Sequence, residues 1–102
     1  MIFYLYILYS LSSDKYYVGT TDDPEQRLWS HNHSERKTFS AKHRPWKMAA
    51  LFELGNSRSE AVKLERWLKR QKSRRLIEQM IDPGNELKGE LSQLVRVPYV
   101  RD

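Results

Sequence analysis

The chain changes from one hydrophobic period to another along its length, and this pattern predicts strands first and helices later. Residues 2–9 form a nearly continuous run of aromatic and aliphatic side chains, typical of a strand that is covered on both faces. Residues 16–21 form a second β-prone run. The polar, turn-rich segment 10–15 lies between them, so the two runs predict a β-hairpin. A third strand is predicted over residues 47–54.

The first helix is predicted from its start signal. Residues 22–25 read Asp-Asp-Pro-Glu, which combines a capping carboxylate, a proline suited to the first helical position and an acidic first turn. We expect this helix to end near His31. Residues 32–46 are polar and basic and show no period, so we expect a loop there.

Two further helices are predicted in the second half of the chain. Ser57 followed three positions later by Glu60 matches the capping-box pattern. Apolar residues then recur at helical spacing, at Ala61, Leu64, Trp67 and Leu68. Ser73 is expected to open a third helix, which the turn-forming residues 82–85 would end.

The order of elements is therefore β-β-α-β-α-α. It predicts a small mixed α/β (α+β) layer fold, in which helices flank a three-stranded antiparallel-type sheet. A length of 102 residues fits one domain. We expect this domain to cover residues 1–82 and residues 83–102 to form a partly ordered C-terminal tail.

Composition excludes several classes of protein. The chain has no cysteine, which rules out disulfides, thiolate metal sites and cysteine nucleophiles and is compatible with a reducing compartment. No apolar run approaches the roughly 20 residues of a membrane span. We therefore expect a cytoplasmic protein without a membrane partner.

The positive charge is unevenly distributed. The net charge is +5, yet residues 1–34 carry two basic and four acidic groups, and residues 35–102 carry sixteen basic and nine acidic groups. A basic surface on a small aromatic-rich domain indicates a polyanion partner, with nucleic acid the first candidate. We expect phosphate contacts from Arg36, Lys37, Lys42, Arg44, Lys69, Arg70, Lys72 and Arg74. A merely solvated basic face is the alternative. Trp29 and Trp46 are candidates for stacking on unpaired bases, although we expect at least one of them to lie in the core.

A smaller set of residues could carry chemistry. Tyr17 and Gly19 share a face of the second strand, and a glycine inside a strand often marks the close approach of a ligand or another backbone. Arg27 and His31 are neighbours on the first predicted helix. Glu65 lies at the border of the apolar stripe of the second helix. Together they provide a hydroxyl for proton transfer, a guanidinium for phosphate and one carboxylate for Mg²⁺.

These residues, in this order, resemble the signature of the GIY-YIG nuclease superfamily. Residues 4–6 (Tyr-Leu-Tyr) and 17–19 (Tyr-Val-Gly) are separated by ten residues and are similar to its two triplets, although the leading glycine of the first is a tyrosine here. Arg27, His31 and Glu65 stand where the family has an arginine, a histidine or tyrosine, and a metal-binding glutamate. The stretch looks like the small stand-alone members.

The resemblance implies a divalent-metal-dependent DNA endonuclease, with a role in DNA repair or recombination. It implies that Tyr17 is the general base or relay for the attacking water and that Tyr6 positions the water or the phosphate. Arg27 would bind the scissile phosphate, and His31 would assist proton transfer or hold the phosphate. Glu65 would be the sole protein ligand of a single Mg²⁺ or Mn²⁺ ion.

One departure from the family pattern leaves alternatives open. Many family nucleases carry an asparagine on a helix about three turns after the glutamate, and Ile77 stands there. A catalytically weak or inactive nucleic-acid-binding module is therefore the second hypothesis, and a domain for an acidic protein partner is the third. RNA remains an alternative to DNA. We expect specificity to come from a homodimer or from a larger protein partner.

Overall fold

The computed structural model describes residues 1–35 and 38–98. The strands are β1 (Phe3–Ser10), β2 (Lys15–Thr21), β3 (Trp46–Gly55) and β4 (Val95–Arg96). The α-helices are α1 (Pro24–His33), α2 (Arg58–Gln71) and α3 (Arg74–Ile81). Two short 3₁₀ helices cover Ser40–His43 and Gly89–Leu91. None of the described helices is long and apolar enough to cross a bilayer.

The sheet is antiparallel throughout, with strand order β2-β1-β3-β4. The predicted hairpin is confirmed, because β1 pairs with β2 from Tyr4 opposite Thr21 to Ser10 opposite Lys15. The prediction of three strands is wrong, since β4 adds a fourth strand against β3. β4 has only two residues, which is too short for an alternating pattern to be read from the sequence. β2 lies at one edge of the sheet.

The core lies on both faces of the sheet, which explains the continuous apolar run in β1. On one face, Leu5 and Ile7 of β1 pack with α2 and α3 and are fully buried. On the other face, Tyr6 and Leu8 pack with Trp46 of β3 on the side of α1. Alternate side chains of a strand point to opposite faces, so a central strand between two layers has no polar face to show.

The helix starts follow the predicted capping residues. Asp23 accepts the backbone N–H of Gln26 at 3.2 Å, with Pro24 in the first turn of α1. Ser57 and Ser73 accept the backbone N–H groups three residues later in the same way, at 3.2 and 3.1 Å. A side-chain acceptor at this position satisfies a backbone donor that the helix itself cannot pair.

The segment predicted as a loop after α1 is more ordered than its pattern suggests. α1 continues to His33, and the 3₁₀ helix Ser40–His43 follows. The Asn32 side chain donates to the carbonyl of Trp46 and accepts its N–H, at 2.9 and 2.6 Å. Arg44 donates to the carbonyls of His31 and Ser34, both at 2.6 Å. These contacts join residues that are distant in the sequence, so they produce no hydrophobic period within the segment from which they could be predicted.

The chain after α3 returns to the sheet. Leu91 and Leu94 are buried in the core cluster of the α2–α3 face. The Arg96 guanidinium donates to the carbonyls of Met80 and Ile81, at 2.9 and 2.6 Å, and lies over the Phe52 ring. The segment from 83 to 98 therefore contributes to the packing of the domain and holds the end of α3.

Candidate active site

Three aromatic side chains meet on the α1 face of the sheet. Tyr6 of β1 and Tyr17 of β2 stack with their ring centroids 6.4 Å apart and an interplanar angle of 17°. The His31 ring from α1 lies edge-on to Tyr17, with the centroids 4.5 Å apart. The Tyr6 hydroxyl is 3.1 Å from His31 Nε2, and this hydrogen bond is buried. The hairpin register and the helix thus bring two strands and α1 to one point.

Gly19 makes room for this arrangement. It is the direct cross-strand partner of Tyr6. A Cβ atom at this position would lie 2.5 Å from Cζ of the Tyr6 ring, which is closer than two carbon atoms approach without a shift of the backbone. A close approach at this glycine is confirmed, but the expected partner, a ligand or another backbone, is wrong. The group that approaches is the side chain of Tyr6 on the neighbouring strand.

Burial keeps Tyr6 and His31 neutral at physiological pH. It raises the pKa of Tyr6 to about 12, against an opposing effect of the nearby Arg27 guanidinium. Burial also lowers the pKa of His31 to about 4, and the positive charges of Arg27 and Arg44 act in the same direction. The Tyr6 hydroxyl and His31 Nε2 therefore share their 3.1 Å hydrogen bond as two neutral groups.

Tyr17 differs from Tyr6 in being accessible. Its side chain is half-buried, and its hydroxyl makes no hydrogen bond to another residue in the described part of the chain. It lines a cavity of about 200 Å³ together with Arg27, His31 and Phe39. Arg27 is exposed at the same cavity. Of the two tyrosines, Tyr6 is therefore buried, whereas the Tyr17 phenol is open to a ligand in the cavity.

Glu65 reaches this region from the opposite face of the sheet, around the free edge of β2. Its Oε1 accepts the hydroxyl of Thr20 at 2.8 Å, and Thr20 faces the α2 side of β2. Its Oε2 accepts Lys69 Nζ at 2.9 Å, and the same ammonium lies 5.6 Å from the centroid of the Tyr17 ring. Lys69 thus links the carboxylate to the tyrosine. The position of Glu65 beside the buried Leu64 is what the predicted stripe border implies.

The acidic groups near the site are few. Among residues 1–35 and 38–98, no three His, Cys, Asp or Glu side chains are grouped closely enough to hold a metal ion. Glu65 contributes a single carboxylate, whose side chain is 23% exposed. This set fits an ion such as Mg²⁺, which binds through one or two carboxylates and keeps several waters. It does not fit zinc, which takes three or four protein ligands.

A model of the GIY-YIG catalytic domain matches residues 2–78, which is most of the chain. The chain belongs to the GIY-YIG family. This is a nuclease family, which implies nuclease-type hydrolysis of phosphodiester bonds, and its members are generally metal-dependent. A search among curated proteins finds no match.

The GIY-YIG residues predicted from the sequence come together in space. Tyr6, Tyr17 and His31 are in mutual contact, and Arg27 lines the same cavity. Glu65 lies at the neighbouring edge through Lys69. Their individual roles stay predictions.

The predicted phosphate-binding residues do not form one surface. Lys69, Lys72 and Arg74 line a second cavity along the outer edge of β2, whereas Arg70 is exposed on α2 and Lys42 on the 3₁₀ helix. Arg74 is paired with Asp14 and Glu78. The Arg44 side chain is half-buried and bonded to two carbonyls, so it holds the end of α1. Arg36 and Lys37 lie outside the described residues.

The aromatic candidates divide sharply by exposure. Trp46 is 3% exposed and its Nε1 donates to the Ser40 carbonyl at 2.7 Å, so the expectation that at least one tryptophan lies in the core is confirmed. Trp29 is 57% exposed. Sequence reasoning missed Phe39, which is 50% exposed beside Tyr17, because the segment around it has no period. It also missed Thr20, although its position directly after Gly19 was a usable signal.

Ile77, where the sequence departs from the family pattern, serves the packing of the core. The Ile77 side chain is buried in the core cluster beneath α3. Where many GIY-YIG nucleases have an asparagine, this chain therefore has an apolar contact between α3 and the sheet. The position offers no polar group to the site.

Proposed function

We propose that this GIY-YIG protein is a divalent-metal-dependent DNA endonuclease that hydrolyses phosphodiester bonds. The observation that supports this most is the accessible Tyr17 phenol, without a partner among the described residues, in one cavity with the Arg27 guanidinium and the neutral His31 ring. A tyrosine that served only the core would be buried or paired, as Tyr6 is.

In the proposed reaction, Arg27 binds the scissile phosphate and stabilises the charge that develops on its oxygens. Tyr17 relays the proton of the attacking water. Tyr6 and His31 hold the aromatic cluster in place through their buried hydrogen bond. Because its pKa is lowered to about 4, His31 is unprotonated at neutral pH and acts as a neutral partner that positions the tyrosines.

Glu65 would hold the metal ion. When bound, one Mg²⁺ or Mn²⁺ would act as a Lewis acid on the phosphate, with water and phosphate oxygens as its other ligands. Thr20 already orients the carboxylate through Oε1. Lys69 neutralises Oε2, and its side chain is half-exposed, so it is free to turn towards solvent or towards DNA phosphates.

A cleavage assay tests the proposal. Wild type and Glu65→Gln would be incubated with labelled single-stranded, flap, branched and duplex DNA and with matched RNA, in Mg²⁺, Mn²⁺ or EDTA. We expect metal-dependent cutting of DNA that falls at least about 100-fold in Glu65→Gln, since charge stabilisation of this kind is worth several kcal/mol. Glu86→Gln, an exposed carboxylate outside the site, is the matched control.

Full-rate cutting by Glu65→Gln would refute the assignment of the metal ligand. A role in DNA repair or recombination is part of the proposal, and a preference for flap or branched substrates would support it. A homodimer would suit an enzyme that cuts both strands, and light scattering with and without DNA tests that state.

One observation favours a second function, a nucleic-acid-binding module without activity. The apolar Ile77 replaces a polar residue that many family nucleases carry. This hypothesis predicts salt-sensitive DNA binding and no product with either metal. Binding that is retained in EDTA, together with uncut wild-type reactions, would select it.

A further inference from the structure

An exposed aromatic ring lies at the junction of two cavities. Phe39 is 50% exposed and precedes the 3₁₀ helix Ser40–His43. Its ring centroid is 4.6 Å from that of His43 and 6.5 Å from that of Trp46. Trp46 is buried in β3 and donates to the carbonyl of Ser40. The Phe39 ring is therefore backed by a fixed aromatic layer and presents its outer side to solvent.

Two cavities adjoin at this ring. The first, of about 200 Å³, is lined by Arg27 and His31 of the candidate active site. The second, of about 490 Å³, lies along the free edge of β2 towards α2 and α3. Phe39 and Tyr17 line both. A chain molecule that occupies both cavities therefore lies against these two shared side chains.

The second cavity combines an apolar floor with a cationic rim. Its floor includes Val18, Leu68 and Ile77, and no carboxylate lines it within the described part of the chain. Lys15 and Lys72 stand on its rim and form no ion pair with another described residue. Apolar surface does not recognise a phosphate, but it does accept the face of a nucleobase, while the lysines neutralise the backbone.

A base can reach Phe39 only when it is unstacked. In a duplex, each base is covered by its neighbours, so its face is not available to a protein ring. A single strand has free base faces and follows a positively charged groove through aromatic contacts. Phe39 and the edge of β2 offer this combination next to the phenol that faces the scissile phosphate in the proposed reaction.

We propose that the nucleotide adjacent to the scissile phosphate is unpaired, that its base stacks on Phe39, and that the following backbone lies along Lys15 and Lys72. The enzyme then prefers single-stranded or splayed DNA to continuous duplex. This rests on the proposed nuclease function and specifies its substrate.

Binding is measured without cleavage, so that this inference can fail independently of the activity. Full-length protein in EDTA is titrated with a single-stranded oligonucleotide that carries 2-aminopurine and with the matched duplex. The expected result is that Phe39→Ala weakens single-strand binding about 5- to 100-fold, the range measured for one base–aromatic stack, and duplex binding much less. Phe39→Trp retains single-strand binding and the change in 2-aminopurine fluorescence.

Leu11→Ala is the matched control. Leu11 is an exposed apolar side chain, 74% accessible, that lines neither cavity, so its truncation leaves the preference for single strands unchanged. Circular dichroism establishes that each variant is folded. The inference is overturned if Phe39→Ala binds single strands as wild type does, or loses affinity for single strand and duplex equally.

Cleavage by wild type separates the two proposals. Cutting of DNA with no effect of Phe39→Ala on binding overturns the stacking role and leaves the nuclease function intact. Loss of single-strand binding in Phe39→Ala, in a protein that cuts none of the substrates, supports the stacking surface and overturns the nuclease function.

Discussion

For the two tyrosines of the site, the sequence predicted that they lie together but not how deeply each is buried. Tyr6 and Tyr17 both stand at alternating positions in β-prone runs, and their order and spacing before Arg27 and His31 predict that they share one site. Their different burial was not predictable. It depends on β1 being central and β2 being an edge strand, and strand order is a property of the whole sheet. The raised pKa of Tyr6 follows from its burial.

Gly19 is the residue on which the position of Tyr6 depends most directly. Gly19→Ala places a methyl group on the Tyr6 ring, so the ring or strand β2 must move. We expect a loss of about 1–3 kcal/mol in the free energy of unfolding, the usual cost of overpacking, and a larger loss of cleavage activity. Urea denaturation and the cleavage assay measure both. Gly84→Ala, at an exposed turn, is the control. Wild-type stability in Gly19→Ala would contradict the close approach.

At the scale of elements, the sequence predicted the structures that depend on contacts between residues close together in the chain. The three helices begin at the predicted caps because a capping side chain and the donor that it pairs are three residues apart. Strand β4 and the 3₁₀ helix Ser40–His43 were missed. The first is held by pairing with β3, and the second by the contacts of Trp46 with Ser40 and Asn32. Contacts between distant residues leave no period in the sequence.

The return of the chain after α3 gives a prediction for the segment expected to be a tail. Leu94 is 6% exposed and packs in the same cluster as Phe52, so Leu94→Ala should cost about 2–4 kcal/mol in the free energy of unfolding. Val95→Ala, in the neighbouring residue, changes a side chain that is 62% exposed and should cost at most about 0.5 kcal/mol. Urea denaturation compares them. Equal costs would show that this segment is not part of the core.

For the molecule as a whole, the candidate site residues gather around the free edge of the sheet at β2. An edge strand exposes its unpaired backbone, and proteins usually cover or charge such edges. Here the free edge of β2 is flanked by Glu65 and Lys69 on one side and by Phe39 on the other. The uneven charge of the sequence predicted a basic half and a polyanion partner. It did not predict that the cations would border this edge, because that requires α2 and β2 to pack together.

The stability of the whole protein should report on its buried histidine. The pKa of His31 is lowered to about 4 in the folded protein from an ordinary value of 6.5, so the unfolded chain binds a proton first as the pH falls. The stabilisation that comes from the neutral ring is therefore complete above pH 6.5 and is lost as the pH falls towards 4. We expect a contribution on the order of 1–2 kcal/mol to disappear between pH 7 and pH 5.

Urea denaturation of wild type and His31→Gln across this range isolates the contribution of His31, because the carboxylates are common to both proteins. Glutamine carries no titrating group, so the stability of this variant should depend less steeply on pH. Parallel pH profiles would mean that His31 titrates normally and that its ring is not held neutral beside Tyr17.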